Sequence, residues 1–109
     1  MSFKELFEKY SKADAKFTKH AKIKISEMNL DENFIIDKLF DIGKLIYEEY
    51  QEPKKTYKLV YEHSNEYLIV IVVSLNKSVN IVTAYKTSKR IQQLIKDKGM
   101  VHISKIYKK

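Results

Sequence analysis

The sequence predicts an α+β domain: N-terminal helices packed on a four- to five-stranded antiparallel meander sheet, with a basic helix towards the C-terminus. Three observations carry this expectation. The run Leu68 to Val73 is wholly apolar, rich in β-branched residues and free of Gly and Pro, which marks a strand buried on both faces. The segments around it, Thr56 to Glu62 and Val79 to Lys86, alternate with period two. Upstream of Gly43 the apolar residues recur instead at helical spacing.

Taken in order, residues 2–12 fit an amphipathic helix, with Phe3, Leu6, Phe7 and Tyr10 on one face and Ser2 as N-cap. Asp14 to Phe17 reads as a connector. Thr18 caps a second helix, Lys19 to Met28, with Ile23 and Met28 turned towards the core. Asp31 caps a third, Glu32 to Ile42. Leu30 and Ile35 there form a hydrophobic staple, and Ile35, Ile36, Leu39 and Phe40 are inward. Gly43 stands where a left-handed residue ends that helix.

The period then changes. Lys44 to Tyr50 is expected as a first strand and Gln51 to Lys55, with the only proline, as the loop after it. In Thr56 to Glu62, Tyr57, Leu59 and Tyr61 share one face, and Lys58 and Val60 the other. His63-Ser64-Asn65 turns the chain into the central strand, and Asn76 to Ser78 makes a hairpin loop. In the next strand Val79, Ile81, Thr83 and Tyr85 point one way. Ser88 caps a basic helix, Lys89 to Lys98, stopped by Gly99, and Val101 to Ile106 reads as an edge strand.

One domain over residues 1–109 is the simplest organisation for 12.9 kDa. No segment has the ~18 apolar residues of a membrane helix, and the N-terminus lacks an apolar signal core. Without cysteine there are no disulfides, thiol nucleophiles or thiolate metal sites, and a cytoplasmic location is expected. Gly43 and Gly99 stand alone, so no phosphate-cradling loop exists, and no histidine pair has metal spacing. Neither a cofactor nor a metal is implied.

The formal charge of +7 is uneven: residues 1–30 carry +3, residues 31–52 carry −5 and residues 53–109 carry +9. Such asymmetry points to a polyanionic partner, with nucleic acid the leading candidate, or to a solvated lysine-rich surface. Arg90 is the sole arginine, whereas base readout usually relies on arginine forks. Lys58, Lys86, Lys89 and Arg90 are candidate phosphate contacts. Tyr47, Tyr50, Tyr57, Tyr61 and Tyr67 are either stacking platforms for single-stranded RNA or sheet-covering strand formers.

Two short patterns carry a resemblance. Thr18-Lys19-His20-Ala21 opens the second helix, and Val82-Thr83-Ala84-Tyr85-Lys86 closes the meander. Together they resemble a family of small bacterial and archaeal domains of unknown function with a Ser-Lys-His-Ala-like start and a Thr-Val-Tyr-like last strand. That family is similar to the BrnT and RelE-like toxins of the barnase, EndoU, colicin and RelE fold group. The likeness spans roughly Phe17 to Arg90. It implies a metal-independent endoribonuclease, acting on RNA and paired with an acidic antitoxin. By position, His20 matches the family histidine, Lys24 a common arginine, and Tyr85 the last-strand aromatic. Met28 departs from a second arginine and Asn29 from a usual glycine.

Metal-independent cleavage needs a base for the 2′-hydroxyl, an acid for the leaving oxygen and cations for the phosphoryl charge. His20 is the best base or acid, because histidine titrates nearest neutral pH. Lys24 lies one helical turn on, and Tyr85 offers a proton or a stacking ring. The alternatives are a non-catalytic nucleic-acid-binding module and a protein-interaction domain in which the acidic 31–52 segment meets a complementary partner.

Overall fold

The computed structural model describes residues 3–89. The expected N-cap Ser2, the helix expected beyond Lys89 and the edge strand Val101–Ile106 lie outside the described residues. The elements are α1 (Phe3–Phe7), β1 (Ala15–Phe17), α2 (Lys19–Glu27), α3 (Glu32–Leu39), β2 (Leu45–Gln51), β3 (Thr56–Glu62), β4 (Tyr67–Leu75) and β5 (Val79–Ser88). They form an α+β fold with a five-stranded sheet in the order β1-β5-β4-β3-β2. No helix among the described residues is long and apolar enough to cross a membrane.

Strands β2 to β5 form the antiparallel meander, but the sheet as a whole is mixed because β1 pairs parallel with β5 through Ala15↔Val79 and Phe17↔Ile81. The connector expected over Asp14 to Phe17 is therefore an edge strand. Three residues are too few to display a period, and their partner lies more than sixty positions away.

The central strand is as buried as its composition demands: Leu68, Ile69, Val70, Ile71 and Val73 are each at most 2% exposed. Phe3, Phe7, Ala21, Ile25, Ile35 and Leu39 from the helices bury against Leu59, Tyr61, Ile69, Ile71, Val73, Val79, Ile81 and Ala84. At roughly 1.5–3 kcal/mol for each large apolar side chain, this layer dominates the driving force for folding. A second, smaller cluster on the opposite face holds Tyr47, Val60, Leu68 and Val70, with Tyr85 packed against it.

The helix caps are where the sequence places them. Thr18 Oγ1 accepts from Ala21 N at 3.1 Å, and an Asp31 carboxylate oxygen accepts from Phe34 N at 3.3 Å. Two details differ. Ile23 is 52% exposed, because Ala21 and Ile25 form the inward stripe of α2. Likewise α3 stops at Leu39, before Ile42, and Gly43 lies in a following 3₁₀ turn without a positive φ. The left-handed terminator is Asn29, with φ of 56°. It closes α2 in a Schellman arrangement: Leu30 N donates to Ile25 O at 2.8 Å, and Asn29 N to Ser26 O at 3.0 Å.

A β-bulge sets the faces of β5. Val72 pairs with Thr83 and Val73 with Ile81, so Val82 is the extra residue. Val79 and Ile81 share the helix side, but beyond the bulge the parity inverts and Ala84 takes that side. Tyr85 and Thr83 turn to the other face. The simple alternation expected for Val79, Ile81, Thr83 and Tyr85 is thereby broken.

Candidate nucleic-acid interface

The bulge decides the fate of the expected catalytic group. His20 and Lys24 are exposed on the outer side of α2, one turn apart, while Ala21 and Ile25 hold that helix to the sheet. Tyr85 sits on the opposite face of the sheet, half-buried beside the Tyr47, Val60, Leu68 and Val70 cluster. Burial pushes its phenol above the usual tyrosine range, which makes it a weaker proton donor. The structure thus brings His20 and Lys24 to one surface and sets Tyr85 behind the sheet from them.

The expected phosphate contacts also disperse. Lys58 lies on the second face, between Glu49 of β2 and Val72 of β4. Lys86 is on the helix side, its ammonium 4.8 Å from the centroid of the Tyr67 ring. Lys89 Nζ is 3.1 Å from Glu62 Oε2, holding that carboxyl below the usual range. Arg90 lies outside the described residues. Near Lys86, His63 meets Phe34 edge-on with ring centroids 5.4 Å apart.

A different set of residues converges. In the meander register Tyr50 and Tyr57 are direct cross-strand partners on the helix side, with ring centroids 5.0 Å apart and planes tilted by 53°. The bulge of β2 between Leu45 and Tyr47 sets this parity, since it puts Tyr47 on the other face. Tyr10 follows α1 and is tied back to it by Tyr10 N donating to Phe7 O at 3.0 Å. Together the three tyrosines line a cavity of about 240 Å³, completed by Lys9, Lys55, Leu6 and Leu75. Among the described residues no carboxylate lines it.

Two lysines, Lys9 and Lys55, supply its charged lining among the described residues. Lys9 Nζ lies 5.6 Å from the Tyr10 ring centroid. Lys55 is presented by the β2–β3 turn with φ of 57°. That turn and the β4–β5 turn lie at the same end of the meander, so Lys54 and Lys77 are exposed at the same end. Burial, and then Tyr50 and Glu48, raise the Tyr57 phenol above its usual range, keeping it a neutral hydrogen-bond donor. Tyr50 is 46% exposed, so its ring presents area to a ligand that its packing does not consume.

Of these residues, sequence reasoning reached Tyr50 and Tyr57. Lys9, Tyr10 and Lys55 were missed. One signal was present: the two tyrosines stand symmetrically about the segment 51–56, which is the placement of facing hairpin partners. Nothing local in the sequence brings Tyr10 to them. Comparison with known protein families, curated proteins and solved structures finds no match, so the resemblance to the BrnT and RelE-like toxins stands on its two short motifs alone.

Proposed function

We propose that this chain is a single-stranded nucleic-acid-binding module, with RNA as its ligand, and that the Tyr10, Tyr50 and Tyr57 cavity is where a base stacks. The single observation that carries this is the convergence of three tyrosines and two lysines in one cavity that no carboxylate among the described residues lines. Aromatic faces accept any base, and lysines at the rim neutralise the neighbouring phosphates. The net charge of +7 supports attraction to such a ligand from a distance. An RNA duplex fits less well, because its bases are stacked internally and unavailable to the rings.

The ribonuclease reading through His20, Lys24 and Tyr85 draws support from the two motifs. It lacks a common cleft, since the sheet stands between the imidazole and the phenol. The binding reading needs no such cleft.

Fluorescence anisotropy with a labelled hexauridylate tests the proposal. Tyr50→Ala or Tyr57→Ala is expected to weaken binding by about 1–3 kcal/mol, roughly five- to 150-fold. If Lys9, Lys54, Lys55 and Lys77 each neutralise one phosphate, log affinity falls against log salt with a slope of about −3. Binding unaffected by either tyrosine substitution refutes the site. RNA cleavage in EDTA that disappears in His20→Ala would favour the ribonuclease instead.

A further inference from the structure

A second cavity adjoins the first. It measures about 360 Å³ and is lined by Lys4, Phe7, Glu8, Tyr10, Phe40 and Ile42. Tyr10 lines both cavities. Its ring is 6.4 Å from that of Phe7, which in turn is 4.4 Å from Phe40, so three aromatic residues in successive contact line the second cavity. The two differ in polar chemistry. Among the described residues the charged lining of the first is lysine alone, whereas the second has one lysine and the Glu8 carboxylate.

Building on the single-strand reading above, we infer that the interface takes a dinucleotide step, one base in each cavity with the Tyr10 ring between them, and that Glu8 selects an amino-bearing base such as cytosine over uracil in the second. A ring inserted between two bases opens their separation to about twice the 3.4 Å rise of a strand, which an unpaired backbone spans without strain. Lys9 lines the first cavity and Lys4 the second, so each cavity has a cation for the phosphate beside its base.

The Glu8 assignment follows from donor and acceptor matching. An ionised carboxylate only accepts hydrogen bonds. Cytosine presents an exocyclic amino donor at the position where uracil presents a carbonyl oxygen, so cytosine satisfies Glu8 and uracil opposes it. Among the described residues no carboxylate side chain lines the first cavity, so the selectivity is assigned to the second.

Calorimetry with CMP and the dinucleotide CpC, and anisotropy with labelled rC6 and rU6, test the inference on the full chain. The expected results are CpC binding at least tenfold tighter than CMP, and rC6 at least fivefold tighter than rU6. Tyr10→Ala should bring CpC down to the level of CMP, while Tyr10→Phe, which keeps the ring, retains the difference. Glu8→Gln, at an exposed position that leaves folding intact, should narrow the rC6 to rU6 ratio below twofold. If CpC and CMP bind alike while Tyr50→Ala still weakens rC6, the two-base inference falls and the single-strand reading stands. An unchanged ratio in Glu8→Gln overturns the selectivity. If neither rC6 nor rU6 binds, both readings fall together.

Discussion

Replacing Thr18 by valine removes one hydroxyl and leaves the side-chain shape intact. That hydroxyl does two jobs. It caps α2 by accepting from Ala21 N at 3.1 Å, and it donates to Val82 O, the bulged residue of β5, at 3.1 Å. Losing an N-cap costs about 1 kcal/mol. Leaving the half-buried Val82 carbonyl without its donor costs about 1 kcal/mol more. The sum, about 2 kcal/mol, corresponds to a fall in Tm on the order of 10 °C for a domain of this size. Urea unfolding followed by far-UV circular dichroism should show a lowered midpoint with an unchanged slope. Thr18→Ser, which keeps both bonds, should lie within about 0.5 kcal/mol of the parent chain. A valine variant as stable as the parent, or a serine variant as damaged as valine, would refute the view that this hydroxyl clamps α2 to β5.

Three further outcomes follow from named contacts. Asn29→Ala, at φ of 56°, should cost about 1 kcal/mol in urea unfolding, whereas Asn29→Gly should be tolerated. Tyr61 donates to Leu39 O at 2.7 Å, and Tyr61→Phe should cost about 1–2 kcal/mol. Burial raises the Tyr61 phenol far above the usual range, so the folded chain resists ionising it. Stability from this group is complete below pH ~10 and declines above it; the phenylalanine variant should lose less over that alkaline range. Burial first, and then Lys38 and Lys86, hold the His63 imidazole below its usual 6.5. The unfolded chain therefore binds this proton more readily, and stability falls as pH drops below 6.5. His63→Gln should flatten that fall, and an NMR titration of His63 should move upward in Lys86→Ala.

The meander was legible because its code is local. An apolar run with alternating neighbours and polar loops between them identifies the strands and nearly their bounds, as Thr56 to Glu62 illustrates. Thr18 and Asp31 were equally readable, since capping uses side chains next to the backbone they satisfy. Non-local pairing hid β1. The bulge at Val82 was hidden too, because an extra residue leaves the composition of a strand unchanged while turning every later side chain to the other face. That inversion moved Tyr85 away from His20 and Lys24. Asn29 entered the sequence reading only as a departure from a usual glycine, although its position just past α2 also suits a left-handed stop. The candidate interface was half visible. Tyr50 and Tyr57 pair through a short hairpin, whereas Lys9 and Tyr10 reach them only through the packing of α1 on the sheet.

The central claim is that single-stranded RNA lies against the Tyr10, Tyr50 and Tyr57 rings. Photo-crosslinking with an oligonucleotide carrying 4-thiouridine, followed by peptide mass spectrometry, locates the bound bases on the chain. Adducts are expected on the peptides that contain Tyr10, Tyr50 and Tyr57, lost when excess unlabelled oligonucleotide competes. Adducts confined to the outer side of α2 around His20 and Lys24, or to the second face around Tyr85, would contradict it.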